Sequence, residues 1–260
     1  MNYLIAIDSD GTLRKTDGSV SAFTKDVIKR VQEKQNIVLI ATARPRYHTL
    51  ELSNEIGIND YFISSNGAEV FDIKNNNVIY ANYISKNDCL KVYNETKNLG
   101  LRAMFVYDNT EYVTQFKRND NQVLLDDNNT CELKEKNIKQ ITVISSDKEN
   151  LLNYKKTISQ SKSIRVIDSS SENNNEIWFS IVNKDSSKGK ALEELAKYLN
   201  ISQDKVVAIG NDSNDLSMIN YANYSIAVSN ANEEILDSAK YITKSNDEDG
   251  VAYYLEEHFL

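Results

Sequence analysis

The sequence predicts an α/β protein whose core is an open parallel β-sheet, with a second, α+β domain inserted into it. Three apolar runs without alternation, at residues 3–7, 37–41 and 206–209, indicate strands that are buried on both faces. Helical patterns follow the first run and precede the third. From about residue 83 the predicted strands alternate or are partly polar, which is typical of a half-exposed sheet with helices on one face.

The first strand–helix–strand unit occupies residues 3–41. A polar loop follows the strand at 3–7 and leads to Ser21, a suitable N-cap residue. The helix is indicated by apolar residues at helical spacing, namely Phe23, Val27, Ile28 and Val31. The strand at 37–41 completes the unit, whose crossover we expect to be right-handed.

Shorter elements are predicted before the insertion. They are a helix with Leu50, Leu52 and Ile56 on its inner side and strands at 61–64, 68–71 and 78–81. Asn66-Gly67, between the first two of these strands, is a tight-turn signal. The first segment of the core domain therefore ends at residue 81.

The inserted domain is predicted at residues 82–184, and the core domain at 1–81 and 185–260. Helices are expected at 86–99 and 150–158, and strands at 101–107, 112–113, 138–145, 164–167 and 177–182. A polar run at 169–176 separates the last two strands. The mixture of helices and semi-polar strands indicates an α+β domain.

The pattern of the core returns after the insertion. Lys188 begins a predicted helix, and the strand at 206–209 ends in the polar sequence Gly210-Asn211-Asp212-Ser213-Asn214-Asp215. A helix containing Leu216, short strands at 226–228 and 241–243 and a closing helix at 251–259 complete the chain.

Polar residues follow each of the three apolar strands. Asp8 and Asp10 follow the first, Thr42 the second, and 211–215 the third. If the chain stays extended through Ser9, the side chains of the two aspartates lie on the same side of the strand. Two carboxylates about 4 Å apart repel each other by roughly 4 kcal/mol. Such a pair therefore favours a bound cation or a shared proton. Ligands of open parallel sheets bind beyond the carboxyl ends of the strands, so we expect all three groups at one site. Taken singly, each is also an ordinary Asp- or Asn-rich turn.

Lys188 lies in the first turn of its predicted helix, where the helix dipole disfavours a cation by up to about 1 kcal/mol. Lysine is usually a solvated surface residue, but a bound anion would reverse the sign of this effect. Phosphate is the anion most consistent with acidic residues, a divalent metal ion and a lysine in one crevice.

Composition limits the classes of partner. The formal charge of −8 and the absence of a basic stripe interleaved with aromatic residues argue against nucleic acid. No apolar run is long enough to span a bilayer, and no basic region or cleavage site marks the N-terminus, so we expect no membrane partner and a cytoplasmic location. Cys89 and Cys131 are too few and too isolated for a disulfide framework or a zinc site.

Four motifs in this order resemble those of the haloacid dehalogenase superfamily. They are Asp8-x-Asp10-Gly11-Thr12-Leu13, Ala41-Thr42-Ala43-Arg44, Ser187-Lys188-Gly189 and Gly210-Asn211-x-x-Asn214-Asp215. The chain is similar over essentially its whole length to the Cof-type phosphatases, in which a large C2-type cap is inserted between the second and third motifs. The resemblance implies a Rossmann-like core, with residues 82–184 as the cap.

The resemblance also implies a role for each motif residue. Asp8 would be the nucleophile that becomes an aspartyl phosphate. Asp10 would be the acid that protonates the leaving alcohol and then the base that activates water. Phosphoryl oxygens would be held by Thr42, Lys188 and Asn214. Mg²⁺ would be bound by the Asp8 carboxylate, the Asp10 carbonyl and the side chains of Asn211 and Asp215, some of them through water.

One position departs from the family pattern, because Asn211 stands where the family commonly has Asp. An amide oxygen still binds Mg²⁺ but brings no charge, so we expect weaker metal binding unless neighbouring Asp212 takes over part of the role. Arg44 and Arg46 are either structural or available to a second anionic group of the substrate. Trp178 in the cap is either a core residue or a substrate contact.

The resulting hypothesis is a Mg²⁺-dependent phosphatase for a small phosphorylated metabolite, such as a sugar phosphate or a phosphorylated cofactor. One alternative is a sugar phosphomutase with the same motifs, which would return the phosphoryl group to another position of the sugar. Another is a phospho-acceptor or binding module with slow turnover, although such a module has no need of an acid at Asp10.

Overall fold

The computed structural model describes residues 2–126, 129–168 and 176–260. The chain forms two compact units: unit 1 is Met1–Tyr80 with Ser187–Leu260, and unit 2 is Ala81–Ser186. Unit 2 is one continuous segment inserted between the two segments of unit 1. None of the helices in the described ranges combines the length and the apolar character needed to cross a bilayer.

The strands of the described residues are named in chain order. They are β1 Leu4–Ile7, β2 Ile37–Ala41, β3 Tyr61–Ser64, β4 Glu69–Asp72, β5 Asn77–Ala81, β6 Arg102–Tyr107, β7 Thr110–Val113, β8 Gln122–Leu124, β9 Gln140–Ser145, β10 Ile164–Asp168, β11 Ile177–Asn183, β12 Val206–Gly210, β13 Tyr224–Val228 and β14 Tyr241–Thr243.

The helices are named in the same way. They are α1 Ala22–Glu33, α2 Arg46–Ile56, α3 Lys86–Asn98, α4 Glu132–Glu135, α5 Lys148–Ile158, α6 Lys188–Tyr198, α7 Leu216–Tyr221, α8 Glu233–Ser238 and α9 Gly250–Phe259. Single 3₁₀ turns occur at Ser65–Gly67, Gln203–Lys205 and Ser213–Asp215. Ser21 is the N-cap of α1, as predicted, and its side chain accepts from the Thr24 N–H.

The strands of unit 1 form one sheet in the order β14-β13-β12-β1-β2-β3-β4-β5. Neighbours from β14 to β3 are parallel, and β4 is antiparallel to β3. β1 lies between β2 and β12, so the strand order reverses there, which is where ligands of open parallel sheets bind. The predicted α/β fold with a parallel core sheet is confirmed.

Helices cover both faces of this sheet. Side chains alternate along β1, so Ile5 and Ile7 pack in a cluster with α1, α2 and α9, whereas Leu4 and Ala6 pack in a cluster with α6, α7 and α8. All four side chains are fully buried. This burial on both faces explains why the strand is an unbroken apolar run in the sequence.

The strands of unit 2 form a second sheet in the order β10-β11-β9-β6-β7-β8. Its neighbours are antiparallel except for β7 and β8. Helices α3, α4 and α5 pack against one face, where Cys89, Phe105, Leu133, Ile141 and Leu151 belong to one buried cluster. Unit 2 is therefore the α+β element that the sequence predicted.

The opposite face of this second sheet corrects one expectation. Its semi-polar pattern predicted exposure, yet several of its polar side chains are buried, namely Arg102, Glu111, Gln122, Gln140 and Thr142. These residues satisfy part of one another's hydrogen bonding, since Gln122 Nε2 donates to Glu111 Oε2 at 2.7 Å. Polarity did not indicate exposure here because internal hydrogen bonds replace those to water.

Short elements account for the other differences from the prediction. β8, α4 and α8 were not predicted, because segments of three to six residues show too little periodicity to be recognised. Residues 169–175 of the predicted polar run lie outside the described residues.

Candidate active site

Three strand ends bring polar residues to one edge of the parallel sheet. Asp8 directly follows β1, and its N–H donates to Ile209 O of β12 at 2.9 Å. Thr42 follows β2 in the same way, and Asn211 follows β12. Because β1, β2 and β12 are parallel neighbours, these residues lie at the same end of adjacent strands.

Lys188 joins two carboxylates at this edge. Its ammonium group donates to Asp8 Oδ1 and to Asp215 Oδ1, at 2.6 Å in both cases. Lys188 is the first residue of α6, whose N-cap Ser187 accepts from the Lys190 N–H. All three charged side chains are buried, with a relative exposure of 6% for Asp8, 1% for Lys188 and 0% for Asp215.

The charges of this group are unbalanced. Burial and the Asp215 carboxylate raise the pKa of Asp8 to about 7, although Lys188 opposes the shift. Burial alone lowers the pKa of Lys188, but Asp215 and Asp8 outweigh it, so that pKa is raised and the ammonium remains charged. With both carboxylates ionised, the group has one more negative than positive charge, which suits it to a further cation.

Asp215 also holds the loop after β12. Its Oδ2 accepts from the N–H groups of Asn211 at 2.9 Å and Asp212 at 3.1 Å. The loop approaches so closely that a Cβ at Gly210 would lie 2.7 Å from Asp215 Oδ2, which requires glycine there. Since both Asp215 oxygens already accept hydrogen bonds, we expect it to act on a cation through charge or through water.

The side-chain amide of Asn211 lies beside Asp8. The side-chain atom Oδ1 of Asn211 accepts from Thr12 Oγ1 at 2.9 Å. The same atom position lies 3.1 Å from Asp8 Oδ2 and 3.2 Å from the Asp10 carbonyl oxygen. The amide nitrogen in that position donates to both in the metal-free protein, whereas the amide oxygen would face them only with a cation between them. With its oxygen turned toward the Asp8 carboxylate and the Asp10 carbonyl, the amide would complete a set of hard oxygen ligands of the kind that suits Mg²⁺.

The remaining acidic residue of the loop has other partners. Asp212 Oδ1 accepts from the Ser213 N–H at 2.8 Å and from Asn232 Nδ2 at 3.0 Å. Within the described residues, no group of three or more His, Cys, Asp or Glu side chains is suited to a metal ion. This geometry favours Asn211 over Asp212 as the residue that faces a cation beside Asp8.

Asp10 lies among arginines. Arg44 donates through Nε to Asp10 Oδ2 and through Nη2 to Oδ1, both at 2.7 Å, and Arg14 Nη1 donates to Oδ1 at 3.0 Å. The Asp10 side chain is 52% exposed. Burial raises the pKa of Asp10, but the hydrogen bonds and charges of Arg44 and Arg14 outweigh it and hold that pKa below its usual value.

The side chains of the two aspartates have different hydrogen-bond partners. The backbone turns after Asp8, since the Leu13 N–H donates to Asp8 O at 3.2 Å and to Ser9 O at 3.1 Å. Asp8 therefore contacts the buried Lys188, whereas Asp10 contacts arginines near the surface. Each carboxylate thus has basic partners of its own, although the charge of Asp10 also raises the pKa of Asp8.

Thr42 and Asn214 are connected to the site through neighbours. Thr42 Oγ1 accepts from the Arg44 N–H at 3.2 Å, and Thr42 O accepts from the Asn66 N–H at 3.0 Å. Asn214 Nδ2 donates to Asn66 Oδ1 at 3.0 Å. Asn66 thus contacts two of the three predicted phosphate-binding residues, and its side chain bonds to one of them.

Sequence reasoning missed Arg14, Thr12 and Asn66 as parts of the site. Thr12 belongs to the first motif, and Asn66-Gly67 was recognised only as a turn, so a signal existed for both. Arg14 has no such signal, because its contact depends on the turn after Asp8. Arg46, weighed for a second anionic group, instead makes an ion pair with Glu69, which is fully buried.

Comparison with known proteins identifies relatives of this chain. The sequence profile of a family described as haloacid dehalogenase-like hydrolase matches residues 5–255. A putative phosphatase of Bacillus subtilis, YxeH, is 29% identical, with 100% of this chain and 99% of the relative covered. The 5-amino-6-(5-phospho-D-ribitylamino)uracil phosphatase YwtE of the same organism is 28% identical, with 97% and 96% covered.

A solved structure is similar to this chain over almost its whole length. A haloacid dehalogenase-like hydrolase from B. subtilis superimposes with a TM-score of 0.85 at 26% sequence identity. The superposition covers 99% of this chain and 100% of the other. The agreement therefore extends over both units of the chain.

Proposed function

The chain belongs to the haloacid dehalogenase-like hydrolases, and on that premise we propose that it is a Mg²⁺-dependent phosphatase acting through an aspartyl phosphate. The observation that supports this most directly is the buried group of Asp8, Lys188 and Asp215. A nucleophilic carboxylate, a cation for the phosphoryl group and a neighbouring set of oxygens for a metal ion are the parts that phosphoryl transfer needs.

Asp8 is the proposed nucleophile. One of its carboxylate oxygens attacks phosphorus, the bond between phosphorus and the leaving alcohol breaks, and an aspartyl phosphate forms. Asp10 gives a proton to the departing alkoxide and then takes one from the water that attacks the aspartyl phosphate. Hydrolysis releases inorganic phosphate and restores the Asp8 carboxylate.

Thr42, Lys188 and Asn214 are the proposed ligands of the phosphoryl oxygens. The Lys188 ammonium group stays charged in its buried position because two carboxylates hold it, so it remains available to an incoming anion. Bound by Asp8, the Asp10 carbonyl, Asn211 and Asp215, Mg²⁺ would supply the charge that offsets repulsion between carboxylates and phosphate.

The proposed substrate class is a small phosphorylated metabolite, either a sugar phosphate or a phosphorylated cofactor. The relative YwtE is named for a compound that carries a phosphoribityl group, which supports including such compounds in a screen. Unit 2 is the proposed C2-type cap that selects among these substrates.

Hydrolysis of p-nitrophenyl phosphate by the pure protein, with Mg²⁺ and with EDTA, tests the proposal. We expect turnover that requires the metal ion and is abolished by Asp8→Asn. Asp26→Asn is the matched control, because Asp26 is an exposed aspartate of α1 whose partner is Arg30. Turnover that survives Asp8→Asn would rule out the aspartyl-phosphate mechanism, and absence of turnover with Mg²⁺ would count against a phosphatase.

A second measurement separates a phosphatase from a phosphomutase. With a sugar phosphate as substrate, a phosphatase releases inorganic phosphate, whereas a phosphomutase forms an isomer of the sugar phosphate.

A further inference from the structure

The turn Ser65–Gly67 between β3 and β4 has an unusual backbone. Its three consecutive residues are left-handed, with φ of 51° at Ser65, 56° at Asn66 and 84° at Gly67. A left-handed conformation costs roughly 1–2 kcal/mol at a non-glycine residue and least at asparagine. Such strain persists where the surroundings impose it, and it is concentrated at functional sites.

This turn contacts all three residues that are proposed to bind phosphoryl oxygens. The Asn66 N–H donates to Thr42 O at 3.0 Å, and Asn66 Oδ1 accepts from Asn214 Nδ2 at 3.0 Å. Gly67 lies against the start of α6, where a Cβ would be 2.1 Å from Ser187 O and 2.6 Å from Lys188 N. Only glycine fits there without displacing the residue that carries the ammonium group.

Asn66 itself is only 1% exposed, so it acts through its neighbours rather than on a ligand directly. The amide of Asn214 has a donor end and an acceptor end of nearly equal size. An acceptor at Asn66 Oδ1 requires the nitrogen of Asn214 to face it, which leaves the second N–H of that nitrogen for a phosphoryl oxygen. Without this acceptor the amide can turn and present its oxygen to the anion, which is repulsive.

We propose that Asn66 is a positioning residue for phosphoryl binding, which fixes the orientation of the Asn214 amide through their side-chain hydrogen bond. This rests on the proposed function, because it gives Asn214 a phosphoryl oxygen as its second partner. A neutral hydrogen bond contributes about 0.5–1.5 kcal/mol, so its loss weakens phosphate binding about two- to tenfold.

Asn66→Gly is the first variant, because glycine accepts a φ of 56° without strain and removes only the side chain. We measure the inhibition constant of inorganic phosphate against p-nitrophenyl phosphate at saturating Mg²⁺, together with the melting temperature. The expected result is a two- to tenfold higher inhibition constant. Asn200→Gly is the matched control, since Asn200 is also left-handed, with a φ of 53°, and should leave the constant unchanged.

A double-mutant cycle separates positioning from a general structural effect. Asn214→Ala should weaken phosphate binding in the wild-type background and have much less effect in the Asn66→Gly background, because one hydrogen bond links the two residues. Independent, additive effects would overturn the proposal. If Asn66→Gly fails to fold, Asn66→Asp takes its place, because aspartate tolerates a left-handed φ better than most side chains do. Asn66→Asp, which keeps an acceptor oxygen, must then preserve the effect of Asn214→Ala, and loss of that effect would also overturn the proposal.

The two proposals fail in different ways. If the wild-type protein shows no Mg²⁺-dependent phosphatase activity or no inhibition by phosphate, the proposed function fails and the role of Asn66 fails with it. If the wild type is active and inhibited, but Asn66→Gly binds phosphate as the wild type does, only the role of Asn66 fails.

Discussion

Asp8 and Asp10, which are separated in sequence by one residue, differ in the environment of their carboxyl groups. Burial and Asp215 raise the pKa of Asp8 to about 7, whereas Arg44 and Arg14 overcome burial and lower the pKa of Asp10. In the metal-free protein these directions are opposite to those that a nucleophile at Asp8 and an acid at Asp10 need. A cation beside Asp8 would favour its ionised form, which is the form a nucleophile needs.

Stability of the metal-free protein should depend on pH through Asp8. Its folded pKa of about 7 lies above the ordinary value of 3.8, so between these pH values the folded protein holds a proton that the unfolded chain has lost. This contribution is fully present below pH 4 and is lost as the pH rises through 7, by on the order of 4 kcal/mol.

Thermal unfolding in EDTA between pH 4 and pH 8 measures this effect. Asp8→Asn should remove this part of the pH dependence, so its stability relative to the wild type rises with pH. Asp26→Asn should follow the wild type. Parallel curves for Asp8→Asn and the wild type would contradict a raised pKa at Asp8.

Arg44 should affect the reaction through the orientation of Asp10, to which it donates two hydrogen bonds of 2.7 Å. Arg44→Lys keeps the charge but loses the paired geometry. We expect about a tenfold lower kcat/KM for an alkyl phosphate, whose leaving group needs a proton, and a smaller loss for p-nitrophenyl phosphate, which needs none. Arg30→Lys, at an exposed arginine that bonds Glu256, is the control. Equal losses on both substrates would indicate a structural role instead.

At the level of elements, the loop from β12 to α7 combines two functions in a few residues. Asp215 stabilises the loop by accepting two backbone N–H groups, and the same carboxylate binds Lys188 of α6. Asn211 at the start of the loop faces Asp8 Oδ2 and the Asp10 carbonyl. The end of β12 is thus tied to the end of β1 and to the start of α6.

Asn211→Asp should strengthen magnesium binding, because it adds a charge to oxygens that already fit the ion. We expect roughly a tenfold lower Mg²⁺ concentration for half-maximal activity, and a less stable metal-free protein because another carboxylate joins Asp8 and Asp215. Asn220→Asp, at an exposed position of α7, controls for net charge. An unchanged Mg²⁺ requirement would place the metal ion away from residue 211.

For the molecule as a whole, each unit has its own hydrophobic core. The buried cluster of unit 2 draws only on that unit, and the two clusters of unit 1 draw only on unit 1. The chain enters and leaves unit 2 side by side, since Asn183 Nδ2 donates to Tyr83 O at 2.8 Å. The assignment of unit 2 as a cap that closes over a substrate stays a prediction.

Residues 81–186 should therefore fold when expressed alone. We expect a single cooperative unfolding transition by circular dichroism and dispersed amide signals by nuclear magnetic resonance. Phe105→Ala, at a fully buried core position, should lower the stability of the fragment by about 3–5 kcal/mol. A fragment without a cooperative transition would show that unit 2 depends on unit 1.

The elements of the core could be predicted because their signals are local. The strand at 37–41 and the N-cap Ser21 were both predicted correctly, since burial on both faces leaves an unbroken apolar run and a cap needs only its own turn. The short elements β8, α4 and α8 have too few residues for such a pattern. The buried polar face of the second sheet was misjudged because its hydrogen bonds join different strands.

The sequence by itself determined the strands of the core, the polar residues at their ends and the family to which the motifs belong. The tertiary structure alone decided which charges meet, because the contacts join residues far apart in the chain, 180 positions in the case of Asp8 and Lys188. It also placed Asp10 beside Arg44 and Arg14, whereas Asp8 lies against Lys188. Coulomb interactions depend on distance and burial in space, and neither is fixed by spacing along the chain.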